Sequence, residues 1–194
     1  MIKIGVTGGI GSGKSVVSDI FRLYEAPVFD ADREAKKLND ISPYIREQLS
    51  QQLGSDLYAA GKLDRKKLAS IIFHDNHKLS IANSIIHPEL AKHFNEWCKQ
   101  RQHHPIVILD AALLIEAGFY RFVDKVIAVY APAALRIERV MQRDGSVRSD
   151  VKARIDNQLP EGEKAKYADY IIYNDNKHSL ISQVSEVINS LTGN

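Results

Sequence analysis

A chain of 194 residues, 44% hydrophobic and 26% charged, has room for one sizeable core and a small inserted subdomain. Its 26 Lys and Arg against 24 Asp and Glu leave a net charge of +2, which argues against a nucleic-acid coat or a membrane-surface protein, so any basic site must be local. Cys98 is the single cysteine, which excludes an internal disulfide and points to a reducing compartment. No apolar run approaches the roughly 20 residues of a membrane span. Met1–Thr7 lacks the long apolar segment of a secretory signal, so a cytoplasmic location is expected.

In chain order, Ile2–Val6 reads as a buried strand. Lys14–Tyr24 reads as a helix with Val16, Val17, Ile20, Phe21 and Tyr24 on one face. Ala26–Phe29 is a second strand, ending at Asp30-Ala31-Asp32. Tyr44–Leu53, Arg65–Phe73 and Ile81–Trp97 carry helical spacing, and no convincing strand interrupts residues 32–101. His87-Pro88 is expected to open or bend a helix. Ile106–Leu109, Val123–Tyr130 and Tyr170–Tyr173 are three further strands, Ala133–Arg143 a cation-rich helix, and Ser179–Leu191 a closing amphipathic helix. Strands alternating with helices predict an α/β fold, a parallel five-stranded sheet flanked by helices, with a helical insertion.

Gly8-Gly9-Ile10-Gly11-Ser12-Gly13-Lys14-Ser15 fits G-x-x-x-x-G-K-[ST] between a strand and a helix. Glycines let backbone N–H groups turn toward phosphate oxygens, and the helix start presents its positive end to the same anion. In this reading the loop binds ATP, Lys14 reaches the β- and γ-phosphates, and the Ser15 hydroxyl ligates Mg²⁺. The guanine-reading N-K-x-D of GTPases is missing: Asn174-Asp175-Asn176-Lys177 has those letters in another order.

Asp30 and Asp32 follow the second strand, where an α/β sheet places its ligands. A carboxylate there can accept a proton from an attacking hydroxyl or hold Mg²⁺ through water; it can equally cap the helix that follows. Asp110 ends the third core strand and reads either as a metal helper acting through water or as a turn residue. Arg136, Arg139 and Arg143 share a helix face, with Arg148 and Arg154 beyond. They suit either a lid that closes over a triphosphate or a solvated basic face partnered by Glu138. His74 and His77 have ligand-like spacing, but no further ligands complete a metal site. Phe94 and Trp97 read as core, and Cys98 as a buried small hydrophobe.

Taken together, these residues resemble the dephospho-coenzyme A kinase family from end to end. Ile4–Ser15 is similar to its G-L-T-G-G-I-G-S-G-K loop, and Asp30-Ala31-Asp32 to its D-A-D. Gly61-Lys62-Leu63-Asp64-Arg65 with Leu68 and Phe73, Ile86-His87-Pro88, and Leu113-Leu114-Ile115-Glu116 resemble further family segments. Arg139, Arg143-Asp144, Arg154, Gln158, Lys164, Ala168-Asp169 and Asn174 fall where its C-terminal pattern expects them. Three positions depart. Val16 stands where Thr often follows the loop, Ala112 replaces a proline in a way expected to loosen that strand end, and Arg136 stands where glutamine is usual.

The resemblance implies a reaction: the ribose 3′-hydroxyl of dephospho-CoA attacks the γ-phosphate of ATP, giving coenzyme A and ADP, the last step of coenzyme A synthesis. It implies a P-loop kinase core (residues 1–31, 102–132 and 160–194), a helical CoA-binding region (32–101) and a helical lid (133–159). Asp32 is the implied base, with Lys14, Arg139 and Arg143 also catalytic. Gly9, Ile10, Gly11, Ser12, Gly13, Lys14, Ser15, Val16 and Asn174 are expected at ATP, Asn174 near the adenine. Thr7, Asp32 and His87 are expected at the substrate, and Ser15 and Asp110 at Mg²⁺. ATP and Mg²⁺ are the expected cofactors and dephospho-CoA the partner, with no nucleic acid or membrane, in a monomer. The competing readings are another small-molecule kinase on the same core, and a nucleotide-binding regulator without turnover. Retention of Asp32 and Lys14 argues against the regulator.

Overall fold

The computed structural model describes residues 1–73 and 75–193, so His74 lies outside the described residues. The chain divides into two compact units, Met1–Asp30 with Arg101–Asn194, and Ala31–Gln100.

The first unit is built on five parallel strands: β1 (Ile2–Thr7), β2 (Val28–Asp30), β5 (Ile106–Asp110), β6 (Lys125–Tyr130) and β7 (Tyr170–Tyr173), in the order β2-β5-β1-β6-β7. β5 is buried at every position because it lies inside the sheet, between β1 and β2, and the sequence supplies four aliphatic residues before Asp110. The order reverses beside β1, which places a ligand crevice past the carboxyl ends of these strands. Thr7, Asp30, Asp110, Tyr130 and Tyr173 stand at those ends.

Helix α1 (Lys14–Leu23) buries Val17, Ile20 and Phe21 against Ile4, Val6, Ile108, Ile127 and Val129. Val16 and Tyr24, expected on the same face, are 50% and 42% exposed. Val16 lies about 100° around the helix from Val17, and Tyr24 follows the helix end. Helix α9 (Leu180–Thr192) adds Val184 and Val187 to this core; Ser179 caps its start by accepting from the Ser182 N–H at 3.3 Å. A smaller apolar cluster joins α6 (Ala133–Asp144) to α7 (Arg148–Asp156) through Ile137, Val140 and Val151, with Ile10 packed on it. The short α8 (Glu161–Ala165) leads into β7.

The second unit contains α2 (Ala31–Ile41), α3 (Pro43–Leu53), α4 (Arg65–Ile72) and α5 (Asn76–Lys99) around Ile45, Leu49, Leu57, Leu63, Leu68, Ala82 and Ile85. Two expectations are corrected here. A two-stranded hairpin, β3 (Tyr58–Ala59) and β4 (Lys62–Leu63), interrupts the helices. Its turn puts Ala60 and Gly61 both at positive φ, +48° and +81°. Arg46 donates to the Gly61 carbonyl at 2.5 Å, and Asp40 accepts from the Leu63 N–H at 3.1 Å. An alanine in the left-handed region is a weak turn signal, held here by tertiary bonds. Pro88 does not open a helix: it sits within the single 24-residue helix α5. That helix starts instead at the Asp75 cap, whose carboxylate accepts from the Lys78 N–H at 3.0 Å.

Phe94 and Cys98 are buried as read, with Trp97 half-buried and stacked on Phe94. Among the described residues, no group of three or more His, Cys, Asp or Glu is arranged to hold a metal, and no helix is long and apolar enough to cross a membrane.

Candidate active site

Residues 8–13 join β1 to α1 at the point where the sheet order reverses. Gly13 takes φ +88°, a conformation open to glycine, and starts α1 with no side-chain cap. The helix therefore presents an uncapped, positively polarised N-terminus. Ser15 and Val16 are exposed on that first turn, and the Val16 N–H bonds back to the Gly13 carbonyl at 3.0 Å. Ser12 is buried, and its hydroxyl has no hydrogen-bond partner among the described residues.

Three side chains from distant parts of the sequence hold the loop. Gln158 accepts from the Ile10 N–H at 2.8 Å, Arg136 donates through Nε to the Ile10 carbonyl at 2.9 Å, and Asn174 donates to the Ser12 carbonyl at 2.8 Å. Asn174 was expected at adenine and Ile10 at phosphate. What the structure shows for both is framework contacts.

Lys14 forms an ion pair with Asp110 at the end of β5, and Asp110 is only 6% exposed. Asp30 is the register partner of Asp110 across β2 and β5, so two carboxylates end neighbouring strands beside the loop lysine. Thr7 is fully buried, and its hydroxyl donates to the Ala112 carbonyl at 3.2 Å. Lys164 is also fully buried, pairs with Glu116 at 3.0 Å and donates to the Ala112 carbonyl at 3.4 Å. Two donors thus anchor the strand end that the missing proline was expected to loosen.

The structure separates the arginines by their distance along α6. Arg139 donates to the carbonyl and side-chain oxygen of Asn174, both at 3.2 Å, and to Asn176 at 3.0 Å. It therefore reaches the loop through Asn174. Arg143 lies about one turn further along the helix. It pairs with Asp144 at 2.7 Å, as Arg154 does at 3.1 Å, and the two guanidiniums hold the Asp144 carboxyl at a pKa of about 2. Arg136, to which the sequence reading assigns no role, is the α6 arginine that bonds the loop directly. Its side chain is buried, and it pairs with Glu161 at 2.9 Å. The cation spacing announced Arg136, whereas nothing in the sequence announced Glu161 as its partner.

Comparison with known proteins decides the family. The dephospho-CoA kinase family profile matches residues 2–179. The chain belongs to the dephospho-CoA kinase family. It is 43% identical to the dephospho-CoA kinase of Porphyromonas gingivalis W83 over 192 residues, 98% of this chain and 95% of that protein. It is 40% identical to that of Bacteroides fragilis YCH46 over 187 residues, 96% and 91% of the two chains. The solved dephospho-CoA kinase from Campylobacter jejuni aligns over 98% of both chains with a TM-score of 0.71 at 29% identity. Shikimate kinase from Aquifex aeolicus, with a TM-score of 0.53 at 18% identity over 99% and 97%, shares the P-loop kinase fold alone.

For a dephospho-CoA kinase, two further expected residues lie in the second unit. Asp32 is exposed in the first turn of α2, where a carboxylate complements the helix dipole. Asp30 directly precedes that helix. His87 is half-buried on α5, and burial pushes its imidazole below its usual pKa of 6.5. Between the lowered folded value and about 6.5 the unfolded chain holds more protons, so stability rises with pH through that window. The expected result is a Tm that declines from pH 7 toward pH 5, with a shallower decline in His87→Gln. Equal slopes in the two proteins would mean that His87 titrates as a solvated group.

Proposed function

We propose that Gly8–Ser15 holds the triphosphate of ATP while the ribose 3′-hydroxyl of dephospho-CoA attacks the γ-phosphate, giving coenzyme A and ADP. The observation that carries this reading is the uncapped α1 N-terminus with Lys14 set against Asp110 at the reversal point of the sheet. Lys14 exchanges its Asp110 partner for the β- and γ-phosphates when ATP arrives, since both are charge-assisted contacts. That exchange leaves Asp110 and the Ser15 hydroxyl as hard oxygen donors of the kind Mg²⁺ takes, with Asp110 reached through water. The bound ion would supply neutralising charge at the β- and γ-oxygens.

Asp32 is the base that orients the 3′-hydroxyl and takes its proton. Its placement two residues past the end of β2, and the family resemblance, support that role. Arg139 and Arg143 act from α6 as lid cations, with Arg143 and Arg154 leaving Asp144 as residues 133–159 close. Thr7 serves the substrate side by fixing the strand end, and His87 contacts the substrate in its neutral form. Residues 32–101 hold the CoA moiety. The protein works as a cytoplasmic monomer on a small molecule.

A coupled ADP-release assay with Mg-ATP tests this reading: dephospho-CoA should support turnover, and AMP, shikimate and gluconate should not. Turnover with AMP or shikimate in place of dephospho-CoA would overturn it. The substrate side has its own expectation. Pocket-facing substitutions in residues 32–101 should raise the KM for dephospho-CoA and leave the KM for ATP nearly unchanged. Equal effects on both constants would assign that unit to structural support.

A further inference from the structure

The backbone of Ile10, early in the phosphate loop, is held on both sides: its N–H by Gln158 at 2.8 Å, its carbonyl by Arg136 Nε at 2.9 Å. Arg136 is held in turn by Glu161, whose carboxylate accepts from Nη1 at 2.9 Å. The arginine side chain is 4% exposed and that of Glu161 22%. Neither group is a solvated surface charge. The loop is shaped to this pair. A Cβ on Gly9 would collide with the Arg136 guanidinium and the Glu161 carboxylate, and a Cβ on Gly11 with the Arg136 backbone carbonyl. Close approach of the protein's own framework thus favours glycine at both positions, and at Gly11 the φ of +79° does so as well.

We propose that Arg136, Glu161 and Gln158 form a clamp that pre-shapes the ATP loop, with Arg136 as a positioning residue for phosphate binding. The clamp joins α6, the segment after α7, and α8 to one loop residue. A guanidinium is required because two acceptors in different directions, the Ile10 carbonyl and the Glu161 carboxylate, are served from one planar group. A lysine ammonium gathers its three donors on one nitrogen and cannot serve the two acceptors from the separated Nε and Nη1 positions. Without the clamp the loop would have to be ordered by ATP itself, and the ordering cost would be subtracted from ATP affinity. The clamp has no part in the acceptor side of the reaction. It rests on the reading of Gly8–Ser15 as the ATP loop.

The test is steady-state kinetics with Mg-ATP and dephospho-CoA, together with calorimetric ADP binding, on Arg136→Met, Arg136→Lys and Glu161→Gln. Arg136→Met should raise the ATP KM and the ADP Kd about tenfold or more, the usual weight of a lost bond to a charged group. The KM for dephospho-CoA should stay within about twofold. Glu161→Gln should move the same constants in the same direction by less, and Arg136→Lys should fail to restore wild-type values. Glu161→Gln changes no volume, so it keeps the test decisive if Arg136→Met does not fold. Unchanged ATP constants in Glu161→Gln, an equal rise in both KM values, or full rescue by lysine would each overturn the clamp. Lys14→Ala, run alongside, separates the two failures. If Lys14→Ala loses turnover while the clamp variants bind ADP normally, the loop reading stands and the clamp falls. If Lys14→Ala retains turnover, the loop reading falls first.

Discussion

Lys14→Ala should lose turnover by about 10²–10³ or more, the usual weight of a preorganised cation or donor aimed at transition-state charge. The structure adds a second consequence. Lys14 is the ion-pair partner of Asp110, a carboxylate only 6% exposed. Deleting the ammonium leaves that charge buried without its partner, at a cost of about 1–3 kcal/mol. In a domain of this size that is a Tm loss of about 2–12 °C. The double variant Lys14→Ala/Asp110→Asn replaces the stranded carboxylate with a neutral amide, so its Tm should recover while its turnover stays lost. Thermal melts and ADP release on the two variants read these effects separately. A Lys14→Ala protein with most of the wild-type kcat would overturn the loop assignment. A double variant whose Tm does not recover would mean that the ion pair is not what Lys14 contributes to stability.

The sequence made the loop and its flanking elements legible because they are local. A strand, a glycine-rich turn and a helix opening on Lys14 and Ser15 follow one another within the 22 residues Ile2–Leu23, and phosphate binding needs them in that order. Strands β5 and β6 were legible because burial on both sheet faces demands continuous aliphatic runs. What stayed hidden is non-local. Arg136 meets Glu161 across 25 positions, Gln158 meets Ile10 across 148, and Asn174 meets Ser12 across 162. No periodicity encodes such pairs. The hairpin at Ala60-Gly61 escaped for a related reason: Arg46 and Asp40, from other segments, stabilise a turn that its own residues advertise poorly. Arg143 shows the limit of helical spacing. It shares a face with Arg136, yet a rise of about 10 Å over seven residues carries it to a different partner, Asp144.

Asp32→Asn separates the proposed base from its neighbour. The substitution keeps shape and removes both the negative charge and the capacity to take a proton. Removal of a general base typically lowers the rate by about 10²–10⁴. Phosphoryl transfer leaves much of the catalysis to positioning and charge, so the loss falls on kcat, and ATP affinity should change little. Asp30 differs in context. It ends β2 in register with Asp110, one residue before α2 begins, and is half-buried where Asp32 is exposed. That placement suits an outer carboxylate of a metal site or the cap of α2, and Asp30→Asn should cost less in kcat. Steady-state kinetics and ATP-analogue binding on both variants decide the matter. A fall of less than about tenfold for Asp32→Asn alongside a collapse for Asp30→Asn would reverse the two roles. If neither matters, the proton acceptor lies elsewhere, and Asp110 is the next candidate, because ATP drawing Lys14 onto its phosphates would free that carboxylate.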